Sequence, residues 1–373
     1  MNSDANKRLL PLDAFRGLII VFMALDHANY FIAGQHSSGE HWGGPFPVYN
    51  SALPFLTRLV THFSAPGFFF LMGTGMLLFS ESRRERGWNA WQIIKHFLIR
   101  GTILVAIQLV IINSIWKAGP ESFPETYIGV LIALGGTMIL GSLFLGLHPY
   151  LLLILTLSLL IGTEFLHPVP DMWGQLNNEP WNLILVRSGG DGTLWSNYPV
   201  LPWLELVLFG ILFGRWLSAD EKKAYQTGLW IGLVSLFLFF IIRFTNGFGN
   251  IRPRAGNSWI DFLNVVKYPP SMTFTFLTMG VNLIVLWALS RGWKLVETVS
   301  KPLITFGSVP LFVYVLHLLL YMLMGRWLQP NGTSILVMLP YWLTGLAILY
   351  PLALLYRNFK HTEGPLNTIT SYL

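Results

Sequence analysis

Ten stretches of this chain are apolar and long enough, or nearly so, to cross a lipid bilayer, and that restricts the fold to a bundle of helices. They are 16–34, 57–79, 92–115, 125–147, 149–166, 199–218, 226–244, 271–290, 302–324 and 335–356. A crossing helix needs about 20 apolar residues, and in hydrocarbon it must bond every backbone group internally. Composition agrees: 53% of residues are hydrophobic and 11% charged, against roughly 25% charged in soluble domains. The expected fold is all-α, a polytopic transmembrane bundle of about ten spans forming one domain over residues 1–373. The boundary between the fourth and fifth spans is the weakest, since only His148-Pro149 separates them. No internal repeat or soluble domain is visible, and the longest connections are 167–198 and 245–270. The first apolar run starts behind Arg16 and lacks a small-residue cleavage site, so it reads as a span, not a cleaved signal.

Lysine and arginine set the orientation. With the N-terminus cytoplasmic, 16 of the 24 basic residues fall on the inner side, among them Arg16, Arg83, Arg84, Lys95 and Arg100. Both termini are therefore expected inside. The net charge of +6 is a topology signal, and nothing here points to nucleic acid. The 245–270 loop is the exception: it falls outside yet carries Arg252, Arg254 and Lys267, so it either escapes the rule by its length or binds an anion. The chain has no cysteine, which excludes disulfides, thiolate nucleophiles and cysteine-bound metals; no metal is expected.

Ionisable groups inside the spans are the candidates for function, because they are costly in hydrocarbon and seldom face lipid. Asp26 and His27 sit deep in the first span. His27 lies eleven residues beyond Arg16, roughly 16 Å further along a helix, in the outer half. His62 falls near the outer side of the second span, and Pro66 leaves its carbonyl without a helical partner, which predicts a kink. Glu205, Arg243 and His317 reach similar depth on the sixth, seventh and ninth spans. Each has a structural alternative: a satisfied core histidine, or a Glu205–Arg243 pair. Gly73-Thr74-Gly75 reads as close helix packing.

Several motifs carry a resemblance. Leu12-Asp13-Ala14-Phe15-Arg16-Gly17 with His27 eleven positions later resembles the start of membrane-integral acyltransferases. Thr61-His62-Phe63-Ser64-Ala65-Pro66-Gly67, Tyr198-Pro199-Val200-Leu201-Pro202-Trp203, Lys267-Tyr268-Pro269-Pro270-Ser271 and Gly307-Ser308-Val309-Pro310 extend it over most of the chain. Within that group the sequence most resembles the heparan-α-glucosaminide N-acetyltransferase family and its bacterial relatives. The resemblance implies a multi-pass enzyme of the bacterial inner (plasma) membrane. Such an enzyme takes acetyl, or another acyl group, from cytoplasmic acetyl-CoA to a sugar-type acceptor outside. It implies catalysis by a histidine, at His27 by the spacing of the broader group or at His36 or His41 by the loop position of the lysosomal member. A homo-oligomer is compatible with it.

The residues support the same chemistry independently. Transfer to a hydroxyl or amine needs a base, and neutral histidine suits that role. His27 is assigned as that base, with Asp26 and His62 completing the catalytic set. Adjacent helical residues point about 100° apart, so Asp26 is as well placed to serve His62 or Arg16. His62 or a helix-end amide would meet the developing oxyanion. Arg16, Glu205, Arg243, His317 and Lys267 are the candidate substrate-binding residues, and Arg16, Arg83, Arg84 and Lys95 the candidates for the phosphates of CoA. The competing class is a proton-coupled exporter of a small polar solute, in which buried His, Asp and Glu relay protons. Release of CoA on incubation with acceptor separates the two.

Overall fold

The computed structural model describes residues 9–36, 39–43, 46–120, 123–167, 179–292 and 300–361. The topology-setting Lys7, Arg8 and Lys294, and both termini, lie outside the described residues. Eight helical segments are long and apolar enough to cross a membrane: α1 (Leu10–Ala33), α2–α3 (Ala52–Glu85), α4 (Ala90–Lys117), α8 (Val200–Ala219), α9 (Glu221–Thr245), α11 (Met272–Arg291), α13 (Pro310–Leu328) and α14 (Ile335–His361). Two shorter apolar helices, α5 (Val130–Phe144) and α6 (Pro149–Phe165), occupy the fourth and fifth expected positions. Short α7 (Pro180–Leu185), α10 (Trp259–Leu263) and α12 (Lys301–Ser308) complete the set. The protein is an all-α integral membrane bundle.

Three expected spans differ in detail. The second is two helices, α2 (Ala52–Thr61) and α3 (Ser64–Glu85), broken at His62-Phe63 as the missing amide of Pro66 requires. Beside the break the Phe63 carbonyl accepts from Gly67 N at 3.3 Å and from Asn282 Nδ2 at 3.0 Å. The ninth expected span, 302–324, divides at Val309-Pro310 into α12 and α13, because a proline starts a helix more readily than it continues one. The fourth starts later than 125: Thr126–Ile128 forms strand β1 and Gly129 is extended before α5 begins. β1 pairs in parallel with β3 (Leu194–Ser196), placing Tyr127 opposite Trp195, and β2 (Gly189–Gly190) pairs antiparallel with β3. This small sheet ties the 179–198 connection to the entrance of α5.

Glycines let backbones touch where the site is built. A Cβ on Gly17 would lie 1.9 Å from the Leu303 carbonyl oxygen, and one on Gly307 1.9 Å from that of Asp13. α1 and α12 therefore meet main chain to main chain. α3 and α8 do the same at Gly73 and Gly210, and Thr74 Oγ1 donates to the Gly210 carbonyl at 3.1 Å, the packing role expected of Gly73-Thr74-Gly75.

Candidate active site

The C-terminal half of α1 is locally unusual. Its α-helical turns give way after Ala28 to a π-helical stretch, Asn29–Ala33, and α4 carries a second at Gln108–Ile112. Such segments occur frequently at functional sites. His27 lies two residues before the start of the first. Its Nδ1 lies 2.6 Å from His317 Nε2, with the two rings stacked 4.9 Å apart. His317 Nδ1 is 2.9 Å from the Val313 carbonyl, which only accepts, so Nδ1 carries a proton. In the neutral pair His317 Nε2 is then the acceptor and His27 Nδ1 the donor. That leaves the lone pair of His27 on Nε2, and His27 lines a cavity.

The cavity has a volume of about 390 Å³ and lies among α1, α3, α4, α5, α13 and α14, within the usual range for a small-molecule site. Asp26, His27, Tyr198, Lys267 and Tyr314 line one end. Arg16, Arg100 and Lys360 line the other. Arg16 and His27 are eleven residues apart on one helix, so the lining reaches over roughly 16 Å. The wall between them is apolar, with Met23, Phe68, Leu71, Met72 and Leu134.

Asp26 does not face His27, Arg16 or His62. Its Oδ1 accepts from Arg58 Nη1 at 2.6 Å and Thr61 Oγ1 at 2.8 Å, and Oδ2 lies 3.3 Å from His36 Nε2. Arg58, 2% exposed, also grips Glu40 with Nε at 2.6 Å and Nη2 at 2.5 Å. This two-carboxylate clamp pins Glu40, in the connection between α1 and α2, to the end of α1. Burial alone would raise the Glu40 carboxyl, but the charge and hydrogen bonds of Arg58, aided by His62 and Lys267, bring it down to about 2. Sequence reasoning missed Arg58 and Glu40. The available signal was an arginine inside the apolar run Ala52–Thr61, which costs too much there to be left without a partner.

The remaining candidates divide. His317 and Lys267 join His27, and Arg16 stands at the far end, where it bonds Asp13 at 2.8 Å and the Gly307 carbonyl at 3.0 Å. His62 does not line the cavity; its Nε2 is 3.6 Å from Glu40 Oε1, behind the clamp. Glu205 and Arg243 do not pair. Glu205 accepts from Thr275 Oγ1 at 2.8 Å. Arg243 donates to the Phe262, Asp261 and Asn264 carbonyls and to Asn250 Oδ1, fixing the 245–270 loop. In that loop Arg252 packs over Phe46 at 3.6 Å, and Lys267 alone of the three basic residues reaches the cavity. Arg83 stacks on Phe79 and Trp88, each at 4.9 Å, instead of lining the cavity; Arg100 and Lys360, counted from sequence only toward topology or not at all as ligands, take that place. His36 is held by Asp26 and Arg58, and His41 packs on Trp195 at 5.4 Å with a backbone bridge to Tyr268.

Comparison with known proteins adds the family. Residues 8–243 match the model of the heparan-alpha-glucosaminide N-acetyltransferase catalytic domain. The mouse heparan-alpha-glucosaminide N-acetyltransferase is 33% identical over 136 residues, 36% of this chain and 18% of that protein. The human protein of the same name is 30% identical over 189 residues, 44% of this chain and 26% of its own length. The matched stretches thus cover about a fifth to a quarter of those relatives. The family match over residues 8–243 includes the α1 motif, the break at His62 and most of the cavity wall. The family match takes in more than half of the residues, and the chain belongs to the heparan-alpha-glucosaminide N-acetyltransferase catalytic family.

Proposed function

We propose that this protein moves an acetyl or similar acyl group from cytoplasmic acetyl-CoA to a hydroxyl or amine of a sugar-type acceptor on the opposite side of the membrane. The observation that carries the reading is the single cavity with three cations at one end and an oriented histidine at the other. Arg16, Arg100 and Lys360 suit the phosphates of CoA, since cations held in a low-dielectric mouth attract phosphate strongly. The apolar wall suits the thioester-bearing arm.

At the other end, His27 Nε2 takes the proton of the acceptor hydroxyl or amine as its oxygen or nitrogen attacks the thioester carbonyl. Lys267 Nζ supplies a positive donor for the oxyanion that forms. The tetrahedral adduct collapses with cleavage of the carbon–sulfur bond. The imidazolium returns its proton to the leaving sulfur, so the products are acylated acceptor and free CoA. Because Asp26 is spent on Arg58, orientation of the base falls to His317, and the imidazolium is stabilised through the shared proton of the histidine pair.

The experiment is direct. Purified protein is titrated with acetyl-CoA and assayed for CoA release with amino sugars. Wild type is expected to bind acetyl-CoA and to release CoA only when an acceptor is present. Arg100→Gln with Lys360→Gln is expected to weaken acetyl-CoA binding about 10-fold or more, as loss of charge-assisted phosphate contacts implies. Failure of the wild type to bind acetyl-CoA overturns the reading.

A further inference from the structure

Lys267 reaches the cavity from a loop far from α1 in the chain, yet hydrogen bonds join the two. Residues of the α1–α2 connection are bonded to the 245–270 loop. The Gly39 carbonyl accepts from Arg252 Nη2 at 3.2 Å, and the Pro47 carbonyl from Asn264 Nδ2 at 3.2 Å. Between them the Glu40 carbonyl accepts from Lys267 N at 2.9 Å and Tyr268 N at 3.1 Å, and Trp42 N donates to the Tyr268 carbonyl at 2.8 Å. The main chain of Glu40 thus holds the peptide that carries Lys267. Two further anchors of that loop, Arg243 on α9 and Ser188 Oγ on the Tyr268 carbonyl, do not involve α1.

The side chain of Glu40 leads back to the base. Arg58 Nε and Nη2 hold its carboxylate, while Nη1 bonds Asp26, the residue before His27, at 2.6 Å. Nη1 also lies 2.7 Å from His36 Nε2, and Thr61 Oγ1 shares Asp26 at 2.8 Å. One buried guanidinium therefore links the helix of His27 to the peptide of Lys267 through two carboxylates and one carbonyl.

We infer that Arg58 is a positioning residue for the transfer: its fork sets the separation of His27 from Lys267, so that base and oxyanion donor address the same thioester carbonyl. The inference rests on the acyltransferase reading and deepens it. Neutralisation alone would account for an arginine between two buried carboxylates. It does not account for which two are joined, one adjoining the base and the other belonging to the residue whose carbonyl holds Lys267. A misplacement of about 1 Å at reacting groups can cost about 10²-fold in rate. Lysine at position 58 would keep the charge but is a point donor that cannot fork across both carboxylates.

The test measures CoA release by wild type, Arg58→Lys, Lys267→Met and the Arg58→Lys, Lys267→Met double variant, with Glu40→Asp as a second perturbation of the same link. Rates are expressed per acetyl-CoA-binding site, which removes any unfolded fraction, and hydrogen–deuterium exchange is followed at the Lys267 and Tyr268 amides. Arg58→Lys and Glu40→Asp are each expected to lower kcat at least about 10-fold, with the KM for acetyl-CoA unchanged and exchange at the two amides faster. In the Lys267→Met background, Arg58→Lys is expected to add less than about 3-fold, since residues that act as one unit are not additive. A merely structural Arg58 would lower the binding-competent fraction, leave kcat per site unchanged and give multiplicative effects in the double variant; any of unchanged kcat per site, multiplicative effects or unchanged exchange overturns the inference. If wild type neither binds acetyl-CoA nor releases CoA, the acyltransferase reading fails, and the exchange result alone then decides whether Arg58 holds the Lys267 segment.

Discussion

His27 owes its proposed role to a hydrogen bond on its far side. The Val313 carbonyl fixes the proton of His317, His317 fixes that of His27, and the lone pair of His27 is left on the cavity side. His317→Ala is therefore expected to lower kcat by about 10², the low end of what loss of a general base costs, with the KM for acetyl-CoA unchanged. A matching rise in KM would instead indicate collapse of the cavity. The Arg58 clamp has a different expectation. Glu40→Gln leaves a buried guanidinium short of one carboxylate and should cost about 3 kcal/mol, as breaking buried pairs does, read as a lower denaturation midpoint in detergent. The pH sign follows from the depressed carboxyl. The stability contributed by Glu40 is complete above its ordinary value of 4.5 and is lost as pH falls toward about 2. Any acid limb of activity above pH 5 therefore belongs to another group, and it should keep its position in the Glu40→Gln protein.

The helices themselves were largely legible, because length and apolarity decide them. Each of the ten expected positions holds an apolar helix, and the break at His62 followed from Pro66. What was not legible is local competition: Thr126–Ile128 lies in an apolar stretch yet finds a strand partner 68 residues away in Leu194–Ser196, and Pro310 divides a continuous apolar run. The glycine contacts between helices give a sharp test. Gly17→Ala and Gly307→Ala place a methyl group against backbone oxygen, which cannot rotate away, and each should cost about 3 kcal/mol, the upper end of over-packing. Gly162→Ala, with nothing within 4 Å of the new carbon, should be neutral or slightly stabilising on helix propensity. Equal thermal midpoints for all three proteins would contradict the close packing of α1 on α12.

At the scale of the molecule, the sequence brought His27 and His317 forward by their depth, Lys267 as a basic residue of a long loop and Arg16 as a boundary cation, and all four line the cavity or touch a residue that does. It misassigned the partners. Asp26 serves Arg58, while Glu205 and Arg243 each serve their own surroundings, because pairing depends on how the helices are rotated and how the loops return, and not on depth. Arg100 and Lys360 stayed hidden for the same reason: from sequence, a cation that marks the inner boundary looks the same as one that lines a mouth. The central claim is that His27 is the base at the end of the donor cavity. It is tested most directly by acetyl transfer from acetyl-CoA, measured as CoA release, in His27→Ala, His36→Ala and His41→Ala proteins that retain acetyl-CoA binding. The account predicts a loss of about 10²- to 10⁴-fold for His27→Ala and much smaller effects for the two loop variants. Near-wild-type turnover in His27→Ala, with one loop variant inactive, would contradict it and move the base to the 34–51 loop.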